Sequence, residues 1–418
     1  MLAFSTILIL SAAMAAPGEN DYPGWRGLDR TGVAKDTGLL KSWPKEGPPK
    51  LWTATGLGGG YSTPSVAGGK VFGMGYLNDE EVVWAVDASN GDKLWTVVIG
   101  PKGKAGYNEG PRSTPTIDGD RLFTLGIGGD LVAMDVNDGK ILWRKSFKSD
   151  FAGKMMSGWG YSESVLVDGD HVICTPGGDM STLVALNKAD GKLVWASNIS
   201  NGGGAGYASL VIAKVGDTKM YITWLRSALV GVDAKSGKLL WRYEKTRNGT
   251  ANIPTVIVKD NLVFCSTGYG DGGTALLDLS ETDNGVTATE IYYIAGKTLQ
   301  NHHGGMVLIG DTVYMGRGHN MGFPTAVDLK TGKMPWDADE RGPGSGSAAV
   351  TAADGMLYFR YQKGTIALIE ANPKQYKLIS SFTLPKNSHP SWPHPVIANG
   401  KLFIREQDNM YCYDLKAK

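Results

Sequence analysis

The segment Ala85-Val86-Asp87-Ala88-Ser89-Asn90-Gly91-Asp92-Lys93-Leu94-Trp95 is written repeatedly along this 418-residue chain. It returns at Ala133–Trp143, Ala185–Trp195, Gly231–Trp241 and Ala326–Trp336, each time with Gly four residues before the Trp. Each copy has an alternating apolar run into Asp or Asn, a polar cluster ending in Gly, and a Lys/Leu-rich run out to Trp. That pattern predicts two strands joined by a tight turn. A fixed period of this kind decides the architecture before any single residue does.

Upstream of each copy a second hairpin is expected, as in Ser62-Thr63-Pro64-Ser65-Val66, the turn Ala67-Gly68-Gly69, and Lys70-Val71-Phe72-Gly73-Met74. Later turns of this set include Asp118-Gly119-Asp120, Asp168-Gly169-Asp170, Lys259-Asp260-Asn261, Gly310-Asp311, Ala353-Asp354-Gly355 and Ala398-Asn399-Gly400. Two hairpins make a four-stranded unit. The position of Asp87 recurs at Asp135, Asn187, Asp233, Asp278, Asp328, Glu370 and Asp414, which gives eight units. A sheet of this size cannot bury both faces alone, and the period belongs to β-propellers. The fold class read here is therefore all-β, an eight-bladed β-propeller spanning 49–418. The last unit stops at Asp414-Leu415 after its third strand, whereas Pro49-Lys50-Leu51-Trp52-Thr53 precedes the first complete unit with an orphan Trp. An N-terminal strand is thus expected to complete the last blade and close the ring, leaving no open edge.

The A-x-D-x-x-x-G-x-x-x-W repeat resembles the tryptophan-docking motif of the quinoprotein (PQQ) dehydrogenase propellers. The resemblance implies that Trp52, Trp95, Trp143, Trp195, Trp241 and Trp336 pack between neighbouring blades as structural residues. Three blades depart from the pattern: Tyr292 stands in the fifth after an insertion around Asp278–Asn284, Ile379 in the seventh, and Asn187 and Glu370 replace Asp. Looser docking is expected there.

Residues 1–16 are apolar, with Ala13-Met14-Ala15 before Ala16-Pro17, and read as a secretory signal peptide too short to span a membrane. No Lys or Arg precedes the apolar run. Residues 17–48 are Gly/Pro-rich and read as an arm lying against the propeller through Trp25 and Trp43, with a plug of the channel as the alternative. A net charge of +1 without a basic patch predicts no nucleic-acid partner. Cys174, Cys265 and Cys412 fall on strands of different blades and are read as buried small apolar side chains, not disulfides. The chain is read as a monomer without a membrane span, periplasmic or secreted.

Short connections gather on one rim and long ones on the other, among them Gly100–Gly110, Ser149–Gly160, Asn198–Gly206, Lys297–His302, Asp337–Gly346, Pro385–Pro390 and Arg317–Phe323. Function collects on loops held by a rigid scaffold, so the long-loop face is the candidate site. The innermost strands start there, and their first residues should ring the channel mouth: Tyr61, Arg112, Tyr161 with Glu163, Tyr207, Asn252, His302 and His303, Ser347, and Trp392 with His394. Arg317 and His319 join them from a loop within a blade. Five of the six histidines (His302, His303, His319, His389, His394) lie between 302 and 394. Their spacing matches no metal-ligand motif, and no metal is assigned. The runs Gly58–Gly60 and Gly202–Gly204 open no helix and are not phosphate cradles.

Two functions follow from resemblance. The chain is similar in size, repeat and export to the propeller subunit of the bacterial outer-membrane β-barrel assembly machinery, which implies a non-catalytic scaffold binding an envelope protein, peptide or glycan, with no cofactor. That subunit is a lipoprotein, and no cysteine adjoins the cleavage site here. The alternative is a PQQ-dependent alcohol or sugar dehydrogenase, with quinone and calcium at the mouth and Glu163, Asn252 and Arg112 as nominees by position. This chain lacks the adjacent cysteines of those enzymes and is much shorter.

Overall fold

A computed structural model describes residues 17–103, 110–283, 285–337, 340–386 and 390–417. The segment read as a signal peptide, residues 1–16, and His389 lie outside them. Eight antiparallel sheets follow one another along the chain. The first is Ser65–Ala67, Lys70–Leu77, Glu80–Asp87 and Lys93–Pro101, and the same innermost-to-outermost order recurs in the next six. The eighth blade takes Lys50–Ala54 as its outer strand, paired antiparallel with Asn409–Asp414. The chain's first and last strands thus share one ladder. Blade six has three strands, Asn301–Ile309, Thr312–Arg317 and Phe323–Asp328; Pro335 removes a backbone donor where a fourth would run. Helix is confined to Phe147–Phe151 among the described residues, and no helix there is long and apolar enough to cross a membrane.

The seams between blades explain the repeat. Trp95 of blade one donates its indole N–H to Val136 O of blade two at 3.2 Å, and Trp52, Trp143, Trp195 and Trp336 do the same to Ala88, Lys188, Ala234 and Asn372. The indole face lies on the next blade's turn glycine. A Cβ on Gly139 would stand 2.8 Å from Trp95, which accounts for Gly at this position beyond its left-handed backbone. Tyr292 docks in the same manner: its hydroxyl donates to Leu329 O at 2.9 Å and its ring faces Gly332, so the fifth blade is not looser for lacking Trp. Trp241 departs instead. Its N–H meets the sulfur of Met220 at 3.3 Å, and the long hairpin of blade five, Gly273–Thr282 with Gly285–Ala295, packs against the outer strand of blade four. Its acceptor thus lies in its own blade, on Thr218–Trp224. Cys174, Cys265 and Cys412 are buried and free.

The arm does not lie flat on the outside. Residues 22–34 loop into the central channel from the short-turn rim and bond to innermost strands around the ring. Tyr22 exchanges two backbone hydrogen bonds with Val66 of blade one, Pro23 accepts from Ile117 of blade two, and Ala352 of blade seven pairs with Gly32 and Ala34. Arg30 donates to Ser164 O and Val165 O of blade three and to Leu210 O of blade four; Arg26 donates to Met306 O of blade six. Inner strands present backbone carbonyls to the axis, and a guanidinium offers five donors in a fixed fork, so two arginines answer carbonyls that a dry channel would leave unpaired. Burial lowers both to about 10. Farther along the arm, Leu39 and Trp43 pack outside the channel, Trp43 between Tyr358 and Phe382.

Candidate functional site

Above the arm the channel opens into a cavity of about 370 Å³ on the long-loop face, within the range of small-molecule sites. Its floor is Trp25, whose N–H donates to Thr255 Oγ1 at 2.9 Å and whose ring lies 4.6 Å from that of His394. Gly305 beside them has φ +68, and a Cβ there would come within 2.7 Å of His394 and 2.9 Å of Arg26, so the floor closes only over glycine. One wall is Tyr61 against Trp392 at 4.4 Å, with the Trp392 N–H held by Gln362 Oε1 at 2.8 Å. The opposite wall is Trp159, Tyr207 and Tyr269. Between the walls, the His302 ring lies 3.7 Å from that of His303 and 4.2 Å from that of His319, tilted to each.

Burial and mutual proximity keep these imidazoles neutral. His303 and His394 are lowered to about 3, by burial first and then by neighbouring imidazoles or arginines, and His302 is lowered further by burial, His303 and His319. His302 Nε2, His303 Nδ1 and His319 Nδ1 are buried without a hydrogen-bond partner among the described residues, and the buried ring nitrogens of His394 have at most a weak one from the backbone of His303. Arg112 reaches across the Tyr61 ring and donates to Trp159 O at 2.9 Å. It is the one charged side chain of the described lining.

Of the residues nominated from sequence, Tyr61, Arg112, Tyr207, His302, His303, His319, Trp392 and His394 meet at this cavity. Tyr161, Glu163 and Asn252 do not. Tyr161 turns outward to Phe147 and bonds Pro176 O, both oxygens of Glu163 accept from Thr175, and Asn252 is spent on Asn248 N and Leu225 O. Arg317 faces Thr325 and Phe323 outside the cavity, and Ser347 stands behind His302 at 2.7 Å. For Tyr161, Glu163 and Asn252 the error is one of parity; Ser347 has the parity of a lining residue but is covered by His302. Successive strand residues face opposite sides, so a one-residue offset sends the side chain away from the axis. Counting back seven from the left-handed turn residue gives Tyr61 from Gly68, Arg112 from Gly119 and Trp392 from Asn399, and it gives Ser162 from Gly169 and Ile253 from Asp260, both of which line the cavity. Trp159, Tyr269 and Asn320 come from the long loops, and Trp25 from the arm, which the strand count could not reach. Tyr269 and Asn320 hold φ +64 and +54; for a bulky ring that is an uncommon backbone, and it sets Tyr269 4.8 Å from both His302 and His319.

These residues do not fit a calcium–quinone centre. Such a centre needs carboxylate and amide oxygens converging beside the quinone, yet Glu163 and Asn252 lie in the wall with their oxygens already bonded. Burial holds the Glu163 carboxyl up at about 8. Among the described residues no group of three or more His, Cys, Asp or Glu side chains is placed to hold a metal ion.

Fold and site together define an eight-bladed propeller of PQQ-like repeats with an aromatic cavity on its axis. A family model described as outer membrane protein assembly factor BamB matches residues 79–338, well over half of the chain, and the chain belongs to that family. The assembly factor BamB of Kangiella koreensis is 28% identical over 216 residues, 50% of this chain and 49% of that protein, so this match spans about half the relative's length. BamB of Yersinia pestis is 23% identical over 390 residues, 87% of this chain and 88% of that one. Among solved structures, BamB from Moraxella catarrhalis is 16% identical with a TM-score of 0.56, covering 82% of this chain and 94% of its own. The quinohemoprotein alcohol dehydrogenase of Comamonas testosteroni is 13% identical with a TM-score of 0.68, covering 96% and 81%. At these identities the structures share the fold.

Proposed function

We infer that this protein is an exported, non-catalytic binding propeller of the cell envelope, one that seats a segment of its partner in the mouth cavity. The observation that carries the reading is the composition of that cavity: ring faces and unsatisfied neutral imidazoles around a floor closed by the chain's own arm, with no carboxylate in the described lining. A general base works best with a pKa near the working pH, and imidazoles held near 3 make poor proton acceptors. Membership of a family described as an outer membrane protein assembly factor supports a partner from that machinery as the finer reading.

The test is capture from envelope extract by the intact protein and by Trp392→Ala and Trp159→Ala. One specific partner retained by the parent and lost by both variants is expected. Cofactor absorbance after loading with PQQ and calcium, together with dye reduction by alcohols or sugars, would overturn the reading.

A further inference from the structure

We propose that the mouth cavity is a carbohydrate site, taking a neutral sugar ring against the indoles of Trp25 and Trp392 with its hydroxyls on the unsatisfied nitrogens of His302, His303 and His394. The proposal rests on the reading of this cavity as the binding site and names the chemistry of what enters it.

Three observations converge. The first is charge. No Asp, Glu or Lys lines the described cavity, and its one formal charge is the cation Arg112, so a buried ammonium would find no countercharge and would lose its hydration at a large cost. The second is the unspent polar capacity. His394 is 3% exposed and His302 5%, and the buried ring nitrogens without partners can both donate and accept, as a sugar hydroxyl does. They are already shut off from water and unpaired, so an apolar ligand gains nothing from them, whereas a hydroxyl brought within reach of one makes a new hydrogen bond. The third is shape. Indole and phenol faces carry partial negative charge, which suits the slightly positive C–H face of a pyranose, and Trp25, Tyr61 and Trp392 supply such faces around the imidazoles.

An extended peptide fits less well, because the rim backbone it would pair with is taken. Tyr61 N donates to Pro111 O and Tyr207 N to Asn252 O, both at 2.8 Å, and Gln362 N donates to Ser347 O. Deeper inner edges are occupied by the arm. What the cavity leaves available is side-chain chemistry.

The experiment titrates the full protein with the methyl glycosides of glucose, mannose and galactose and with N-acetylglucosamine, followed by indole fluorescence and calorimetry, beside a pool of random hexapeptides. One-to-one binding of a neutral sugar is expected, unchanged between low and high salt. Trp392→Ala and His303→Asn should each weaken it at least tenfold, while Arg317→Ala, outside the cavity, leaves it within twofold. Should Trp392→Ala fail to fold by circular dichroism, His303→Asn carries the test. If hexapeptides bind in a Trp392-dependent way and no sugar does, the carbohydrate inference falls and the binding site stands. If neither class binds and both variants still capture the envelope partner, the site reading falls with it.

Discussion

Tryptophans at the seams and at the mouth do different jobs in this molecule, and, except for Trp241, their acceptors tell them apart. At the seams, Trp52, Trp95, Trp143, Trp195 and Trp336 donate to backbone carbonyls of the next blade. At the mouth, Trp25 and Trp392 donate to side chains, Thr255 and Gln362, and turn their faces to an open cavity. A carbonyl is present in every blade whatever its sequence, so the seam device can be copied around the ring. A side-chain acceptor must be supplied singly, so the mouth cannot repeat. Repetition marks framework here, and departure from it marks the place where something can be recognised.

The sharpest way to break this contrast is to truncate one indole of each kind. Trp336→Ala, 4% exposed in the parent, opens a void between two blades and should cost about 3–5 kcal/mol in urea denaturation. Trp392→Ala, at the partly open mouth, should cost less, about 1–2 kcal/mol, while abolishing ligand binding. Equal losses of stability at the two sites would end the distinction. Next in size is the arm that floors the cavity. Arg30→Met leaves the carbonyls of Ser164, Val165 and Leu210 without their donor and should cost on the order of 2–4 kcal/mol, measured by thermal melting. If the channel arm were a loosely held tail, the melt would not move.

Charge sharpens the picture further. Glu81 and Glu163 are buried and held up at about 8, so the folded protein keeps two protons that the unfolded chain releases near 4.5. Their contribution to stability is intact below 4.5 and is lost as pH climbs toward 8. His303 and His394 act in the opposite sense: held down at about 3 against 6.5 unfolded, they contribute above 6.5 and lose that contribution as pH falls toward 3. Urea midpoints taken across pH should therefore fall on both sides, and Glu163→Gln should flatten the alkaline side only, since Glu163 lies in the framework and the histidines at the mouth. A flattened acid side in that variant would contradict the assignment.

The smallest expected difference lies within the seams. Trp195→Phe removes a hydrogen bond to Ala234 O and should cost about 1 kcal/mol more than Trp241→Phe, whose N–H meets only the Met220 sulfur. Differential scanning of the two variants decides it.

The repeat was enough to announce the propeller, because each hairpin carries its own turn chemistry and its own seam residue, and these act over a few neighbours in sequence. It also marked the long-loop face and many of the residues that meet at the cavity. Three things depended on contacts between residues far apart in the chain. The arm enters the channel because Arg26 and Arg30 find backbone carbonyls of blades three, four and six, which no local pattern in residues 17–48 specifies. Which of two adjacent residues, Tyr161 or Ser162, faces the axis is fixed by register against the turn at Gly169, and one extra residue flips it. Trp159 and Tyr269 reach the cavity from separate blades because their loops fold back over the mouth. Sequence alone determined the ring, through interactions local enough to be copied; the tertiary structure decided what fills it, because side chains from eight blades and one arm meet only once the ring has closed.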